Sequence, residues 1–394
     1  MGDRARGAPR PAGKRVRILH VTSDWKWTGP AAPMLQLLLA QRARGCTAEL
    51  VCPEDPDGRP DSLPQQARAA GVEPVLALSR ARGAIWWRDT ADARRLAGLL
   101  GERRFDVVHT WHTRDHVIAV RATAEHRRSG ATRLVRSHRS ADPIAGLPWN
   151  RWLFGRATDG LLCVSPRAAA RNAQLRRGRP VLGALGAVDL ERFAPRPPEP
   201  ALRASLGLAP EHRVVCITAR VQRHRRFDLL LEAMARLARE VPEARLLVIG
   251  RGTHLEETAR RPAARLGLSE RVIFAGYRSA DYADVLRASD VFTMLVPGSD
   301  GGCRALLEAA GCGLPAVTTD LGSLPEIVLH GETGLVVEED PGQLAAAWRA
   351  LLESAPLRQS LGAAARRRAE QCFSPARLAE QVEGLYRATF GAPA

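Results

Sequence analysis

The stretch from Val296 to Thr319, VPGSDGGCRALLEAAGCGLPAVTT, sets two acids eight positions apart, Asp300 and Glu308. Gly301 and Gly302 follow the first acid, ahead of a short apolar run. Pro297 and Gly298 break a strand pattern, and CRALLEAAGCG reads as a helix. Glycines in a strand-to-helix turn let backbone N–H groups approach a ligand, and the helix turns its positive end toward the same loop. Glu308 lies well inside that helix. A carboxylate there reaches a ligand diol if the ligand runs along the helix; otherwise it is a solvent-facing glutamate beside an ordinary loop.

A second group lies in ITARVQRHRRFDLLLEA (217–233). Arg220 and Arg225 follow a strand and precede a helix, with Arg223, His224 and Arg226 beside them. Bidentate donors next to a helix N-terminus suit a diphosphate. The bland alternative is a basic surface turn. A third group is VVHTWHTRDH (107–116), which holds His109, His112, Asp115 and His116. His112 and His116 are four apart, but no third ligand recurs at a zinc spacing, so these residues read as the lining of a substrate pocket rather than a metal centre. His138 follows the next strand and could face the same pocket. Gly29-Pro30 opens a helix after the first strand, without the full GxGxxG or GxxxxGK[ST] pattern. Trp25 and Trp27 beside it could stack on a sugar or lipid, or pack. The Asp-x-Asp of EDPDG (54–58) falls in a Pro/Gly turn and reads as a surface loop.

These groups need strands to carry them. RVRILHV (15–21), AELVCP (48–53), FDVVHT (105–110), ATRLVRSH (131–138) and GLLCVS (160–165) are apolar runs ending in polar residues, separated by helical patterns. That alternation indicates an α/β fold with a parallel sheet. APRPPEP (194–200) is a linker by composition, after which the pattern restarts with RVVCITAR, ARLLVIG, RVIFAG, LPAVTT and GLVVE. Two doubly wound, Rossmann-like domains are expected: a tail at 1–14 read as disordered, an N-terminal domain at 15–193, a linker at 194–202, a C-terminal domain at 203–375, and a terminal helix at 376–394 that packs back on one of them. Ligands in open sheets of this kind lie beyond the carboxyl ends of strands, so a cleft between two facing domains is the expected cofactor site.

The 394 residues suit two or three domains. No run approaches the roughly 18 apolar residues of a membrane span, and the basic start lacks the apolar core of a signal peptide. Seven cysteines with no CxxC read as free cytosolic thiols. Residues 1–180 carry 32 Lys+Arg against 16 Asp+Glu, and residues 181–394 carry 26 against 26. The whole excess of +16 is therefore in the first half, nearly all of it arginine. It reads as a solvated surface or as attraction to an anionic membrane or lipid-linked partner. No zinc-finger, stacking-platform or helix-turn-helix signature points to nucleic acid.

Together these motifs resemble the retaining glycosyltransferases of family 4, which have the two-domain GT-B fold, over about residues 15–390. The family's EGFGxxxxEAxAxGxPVV is similar to DGGCRALLEAAGCGLPAV, with Asp300 at the first Glu and Glu308 at the second. Its GRxxxxKGxDxLxxA is similar to ARVQRHRRFDLLLEA, with Arg220 at the Arg and Arg225 at the Lys. GAVDLERFAP (186–195) and GSLPEIVLHGETGLVV (322–337) match two further family segments. The resemblance implies that Arg220 and Arg225 hold the diphosphate of a nucleotide sugar, with UDP, GDP and ADP left open. It implies that Glu308 binds the ribose hydroxyls, that Asp300 sits by the donor sugar, and that Gly29, Gly301 and Gly302 approach sugar or phosphate. It places an acceptor-side histidine at His109 or His112, since HTWH stands where relatives read His-Thr-His. The implied reaction is transfer to a hydroxyl of a glycan or lipid-linked acceptor with retained configuration, in cell-envelope polysaccharide or lipopolysaccharide synthesis. It would need no divalent metal or other cofactor, and would run in the cytoplasm or peripherally on the inner membrane face. A sugar-nucleotide epimerase or hydrolase, or a noncatalytic partner subunit, is the rival of the same fold.

Overall fold

The computed structural model describes residues 16–27, 29–80, 86–298 and 301–391. The tail expected at 1–14 and the acid Asp300 lie outside the described residues. The chain divides into two compact units, Met1–Ala184 with Pro375–Ala394, and Leu185–Ser374.

Unit 1 runs β1 (Arg17–Val21), α1 (Ala31–Ala43), β2 (Thr47–Val51), α2 (Leu63–Ala69), β3 (Pro74–Leu76), α3 (Trp86–Glu102), β4 (Val107–Thr110), α4 (Thr113–Ala122), α5 (Ala124–Arg128), β5 (Arg133–His138), α6 (Pro148–Gly155), β6 (Gly160–Cys163), α7 (Pro166–Arg176) and β7 (Val181–Gly183). Unit 2 runs α8 (Pro200–Ser205), β8 (Arg213–Thr218), α9 (Phe227–Glu240), β9 (Ala244–Ile249), α10 (Arg261–Arg265), β10 (Val272–Gly276), α11 (Tyr282–Arg287), β11 (Val291–Met294), α12 (Arg304–Gly311), β12 (Ala316–Thr319), α13 (Leu324–Ile327), β13 (Gly334–Val337), α14 (Pro341–Glu353) and α15 (Ala355–Cys372). The last helix, α16 (Pro375–Gly391), belongs to unit 1.

Every strand pair is parallel, and the strand orders are 3-2-1-4-5-6-7 and 10-9-8-11-12-13. The six-strand order is the same in both, that of a doubly wound sheet. Parallel neighbours need crossover helices, which cover both faces and bury the strands. That is why VVHT of β4 and VFTM of β11 are buried at all four positions. The order reverses between β1 and β4, and again between β8 and β11. Loops at these two reversals splay apart and leave a crevice beyond the carboxyl ends.

β3 and β7 have only three residues each and escaped the sequence reading. The segment expected to end the first domain and link it to the second, 185–202, belongs to unit 2. Val188 and Phe193 are buried in that unit's core.

α16 packs on α1 and on β5, β6 and β7. Arg44 clasps Glu383 with bonds of 2.9 and 3.3 Å, and Tyr386 reaches the core. There a buried polar chain is closed in one direction. The Trp111 indole N–H, a donor only, donates to His20 Nδ1 at 3.2 Å. His20 Nε2 then donates to Gln41 Oε1 at 2.8 Å, and Gln41 Nε2 to the Tyr386 hydroxyl at 3.2 Å. The Tyr386 hydroxyl donates to His109 Nδ1 at 2.7 Å, and His109 Nε2 to Ser137 Oγ at 2.8 Å. Every link is satisfied with both histidines neutral. Burial lowers the His20 pKa to about 4 and holds those of His109 and His116 well below the usual value.

Unit 1 is therefore expected to lose stability in acid. Below pH ~6.5 the unfolded histidines take up protons that the folded ones refuse, so stability falls as pH drops from ~6.5 toward 4. His20 alone costs on the order of 3 kcal/mol by then. Melting temperature followed against pH checks this; a flat profile between pH ~6.5 and ~4 is incompatible with the neutral chain.

Candidate active site

At the reversal in unit 2, β8 ends at Thr218 and the chain passes through Ala219 and Arg220. The segment after β9 backs this loop. A Cβ on Gly250 would lie 2.1 Å from the Ala219 carbonyl oxygen, and one on Gly252 would lie 2.1 Å from that of Val221. Only glycine lets the two backbones meet so closely on both sides of Arg220. Arg220 itself is exposed, with no hydrogen-bond partner among the described residues. The neighbouring arginines are engaged differently. Arg223 pairs with Glu257, and Arg226 with Asp228 and Glu339. Arg225 donates to the carbonyls of Val296 and Pro297, at 3.4 and 2.5 Å, and so grips the loop that leaves β11. The basic turn is thus divided: two arginines bind surface carboxylates, one is anchored across the reversal, and Arg220 stands open.

The loop after β11 turns sharply. Gly301 has φ 64°, donates its N–H to the Gly298 carbonyl at 2.8 Å, and accepts from Ser323 Oγ at 3.0 Å. Cys303, the residue capping α12, has φ 47°. Arg226, capping α9, has φ 56°. Both stand where the family patterns carry glycine, and a left-handed backbone costs a non-glycine residue of order 1 kcal/mol or more. Each strained residue opens one of the two helices that face the reversal.

Glu308 lies on the buried side of α12. Burial raises its pKa, opposed by the guanidiniums of Arg304 and Arg192 and by the Tyr282 hydroxyl. Arg304 Nε is 3.4 Å from its carboxylate. The Tyr282 hydroxyl is also hydrogen-bonded with Thr218 Oγ1 at 3.0 Å, which ties the Glu308 neighbourhood to the end of β8, two residues before Arg220. Arg220, Arg225 and Glu308 are therefore brought to one end of one sheet. Glu308 is not the solvent-facing residue of the bland alternative. Tyr282, in YADVLR, carried no sequence signal.

Unit 1 has its own reversal at the ends of β1 and β4. Asp115, fully buried, gathers both loops. Its carboxylate accepts from Trp111 N at 2.7 Å, from His112 N at 2.9 and 3.0 Å, and from Ser23 N and Oγ at 3.2 and 2.9 Å. Asp115 is thus a bracket between loops, which its place among histidines concealed. The histidines disperse. His109 is enclosed by Tyr386 and Ser137, and His116 hydrogen-bonds Thr158 Oγ1 at 2.7 Å. His138 donates to the Asp142 carbonyl at 3.0 Å. His112 opens α4, holds Thr22 Oγ1 through Nδ1 at 3.0 Å, and keeps a partly exposed ring whose Nε2 has no partner among the described residues. Gly29 is exposed ahead of α1. Trp25 packs under Arg59, 4.5 Å from the ring centre. Asp55 of the Asp-x-Asp turn accepts from Asp57 N and Arg59 and stays within its own loop.

Known proteins match both units. A family model described as "Glycosyltransferase Family 4" matches residues 29–181, and one described as "Glycosyl transferases group 1" matches residues 198–368. The chain is similar to a GDP-mannose-dependent monoacylated alpha-(1-6)-phosphatidylinositol monomannoside mannosyltransferase of Corynebacterium glutamicum, 30% identical over 74% of this chain and 79% of that protein. It is also similar to a GDP-mannose-dependent alpha-(1-6)-phosphatidylinositol monomannoside mannosyltransferase of Mycolicibacterium smegmatis, 33% identical over 62% of this chain and 66% of that protein. Among solved structures, a glycosyltransferase from Rickettsia africae aligns with a TM-score of 0.81 at 14% identity, over 96% of this chain and all of that one. Anabaena Alr3699/HepE, in complex with UDP and glucose, aligns at 0.74 and 18% identity over 94% of this chain and 99% of that one. These neighbours carry the GT-B fold.

Proposed function

Because this chain belongs to glycosyltransferase family 4, we propose that it moves a sugar, mannose from GDP-mannose first among the candidates, to a hydroxyl of a lipid-linked acceptor with retained configuration. What carries this reading is the gathering at the ends of β8 and β11 of an open arginine, an arginine anchored on the facing loop, and a buried glutamate. Arg220 and Arg225 take the diphosphate and offset the charge that grows on it as the glycosidic bond breaks. Glu308 accepts from the ribose hydroxyls. The backbone at Gly301 and Gly302, without side chains in the way, lies against the sugar or phosphate, and Asp300 serves the sugar. Gly29, at the opening of α1, lets backbone come close to the diphosphate. The leaving phosphate helps remove the acceptor proton from the same face, so no covalent enzyme intermediate is needed, and the charges of Arg220 and Arg225 take the place of a divalent metal.

On the acceptor side the role falls to His112 rather than His109, because only His112 offers an accessible ring nitrogen. The lipid-linked acceptor is supported by the relatives named for phosphatidylinositol monomannoside and by the basic charge of unit 1. It suits a cell-envelope role, with the enzyme working on the inner face of the membrane. Among the described residues no helix is long and apolar enough to cross a bilayer.

The test is product analysis after incubation with GDP-mannose, UDP-glucose or ADP-glucose, extracted lipids and a chelator. A new glycolipid with the donor's anomeric configuration is expected. Donor hydrolysis or epimerisation that ignores the acceptor, or an inverted linkage, overturns the reading. His112→Ala should lower turnover roughly a hundredfold and leave nucleotide affinity unchanged.

A further inference from the structure

The sequence AGLPWNRWLFGR, residues 145–156, contains α6. Its inner side is Leu153, Phe154 and Gly155. Phe154 meets the His116 ring edge-on, with centroids 5.0 Å apart, which seats α6 beside α4. Among the described residues the other side is left largely open. Leu147 is 61% exposed, Trp149 55% and Trp152 43%. The two indoles lie 5.0 Å apart, so they form one patch rather than scattered residues. Ala145, Gly146 and Pro148 extend it, and Arg151 and Arg156 stand exposed along its flank. Trp87 is exposed as well, on the first turn of α3, which packs on α4 in the same layer. Like α6, α3 starts from the carboxyl edge of the sheet. The exposed tryptophans among the described residues, Trp27, Trp87, Trp149 and Trp152, all belong to unit 1.

Charge shares this bias. Unit 1 carries 34 Lys+Arg against 18 Asp+Glu, and unit 2 carries 24 against 24. Indoles flanked by arginines are the composition of a surface that lies in the headgroup region of a bilayer, with the rings among the acyl boundary and the guanidiniums on phosphates. A second copy of this chain is a poor occupant. Two units of +16 would be brought face to face, and a few side chains fall short of the ~1,200 Å² that a stable interface buries.

We propose that the face formed by Leu147, Trp149 and Trp152, with Arg151 and Arg156, docks unit 1 on an anionic lipid bilayer. This deepens the lipid-acceptor reading and rests on it for its purpose, though not for its physics. Docking would hold the sheet edge that carries His112 near the membrane surface, where the acceptor hydroxyl lies.

The experiment uses the full chain. Sedimentation with vesicles of phosphatidylcholine alone, or mixed with phosphatidylglycerol, is compared for the wild type, Trp149→Ser/Trp152→Ser and Arg151→Glu/Arg156→Glu. Transfer is measured in parallel on a detergent-dispersed acceptor. The wild type should bind anionic vesicles, salt-sensitively, and each double variant at least about tenfold more weakly. Brominated lipid should quench wild-type tryptophan emission more than that of the tryptophan variant. Transfer to the dispersed acceptor should not change. Equal vesicle binding by all three proteins overturns the proposal. So does a dimer, seen by light scattering, that the tryptophan substitutions dissolve. Absence of wild-type binding alongside normal transfer overturns docking and leaves the enzyme reading intact. Patch-dependent binding without any transfer does the reverse.

Discussion

Replacing Arg220 and Arg225 together with alanine is expected to reduce kcat/KM by three orders of magnitude or more while both units stay folded. One preorganised donor aimed at developing charge is worth about 10² to 10³ in rate, and here two act on the same diphosphate. They share one ligand, so the losses will not simply multiply. The single variants should differ in kind. Arg220 makes no hydrogen bond among the described residues, so Arg220→Ala should leave the melting temperature alone and remove only function. Arg225 also holds the Val296 and Pro297 carbonyls, so Arg225→Ala should loosen the β11 loop and lower melting as well. Arg225→Lys keeps the charge but loses the planar fork, and should fall between wild type and alanine. Steady-state kinetics with circular dichroism decides. Normal turnover by a folded double variant would remove the diphosphate assignment.

The second large effect belongs to Glu308. Loss of a hydrogen bond to a charged group costs about 1.5 to 3 kcal/mol, which is roughly a 10- to 150-fold rise in the nucleotide dissociation constant for Glu308→Gln. Folding should move the other way. Burial raises the pKa of this carboxyl above the usual 4.5, so the folded chain holds a proton where the unfolded chain has lost it. Stability from this site therefore declines as pH climbs from about 4.5 through the raised value, and a neutral glutamine escapes that decline. Glu308→Gln should melt at or above the wild-type temperature at neutral pH. Wild-type nucleotide affinity should weaken in acid as the carboxylate is protonated, while the variant stays flat. Calorimetric titration across pH checks both; an unchanged dissociation constant sinks the ribose role.

Much of this site could be read from the sequence because it follows strand grammar. Apolar strands four residues or longer announce themselves, and residues just after them fall at the carboxyl edge. Arg220 and Arg225 needed nothing more to be placed there, and the same rule left His109 and His112 as a pair. β3 and β7 did not announce themselves, since three residues beginning with Pro74 or ending with Gly183 give no period. Contacts across sequence were hidden as well. Tyr282 meets Thr218 from 64 residues away, and Tyr386 meets His109 from 277. The second contact decides which histidine remains accessible, and HTWH alone left that choice open. The strain at Arg226 and Cys303 was within reach: both occupy glycine positions of the family patterns, and a missing glycine signals a backbone that still has to turn left-handed.

The placement of α16 has a consequence for how this chain comes into being. Its partners in unit 1 are synthesised first, and then 190 residues of the other unit, Leu185–Ser374, must emerge before Pro375 appears. Until then Gln41 and His109 wait without the phenol that joins them, and the α1 side of the sheet lacks its cover. The part made in the middle can mature on the ribosome ahead of the part begun at the start. Nascent unit 1 therefore stays short of its last helix until the chain is nearly finished, so release of a chain truncated before Pro375 should yield a folded unit 2 beside an unfinished unit 1.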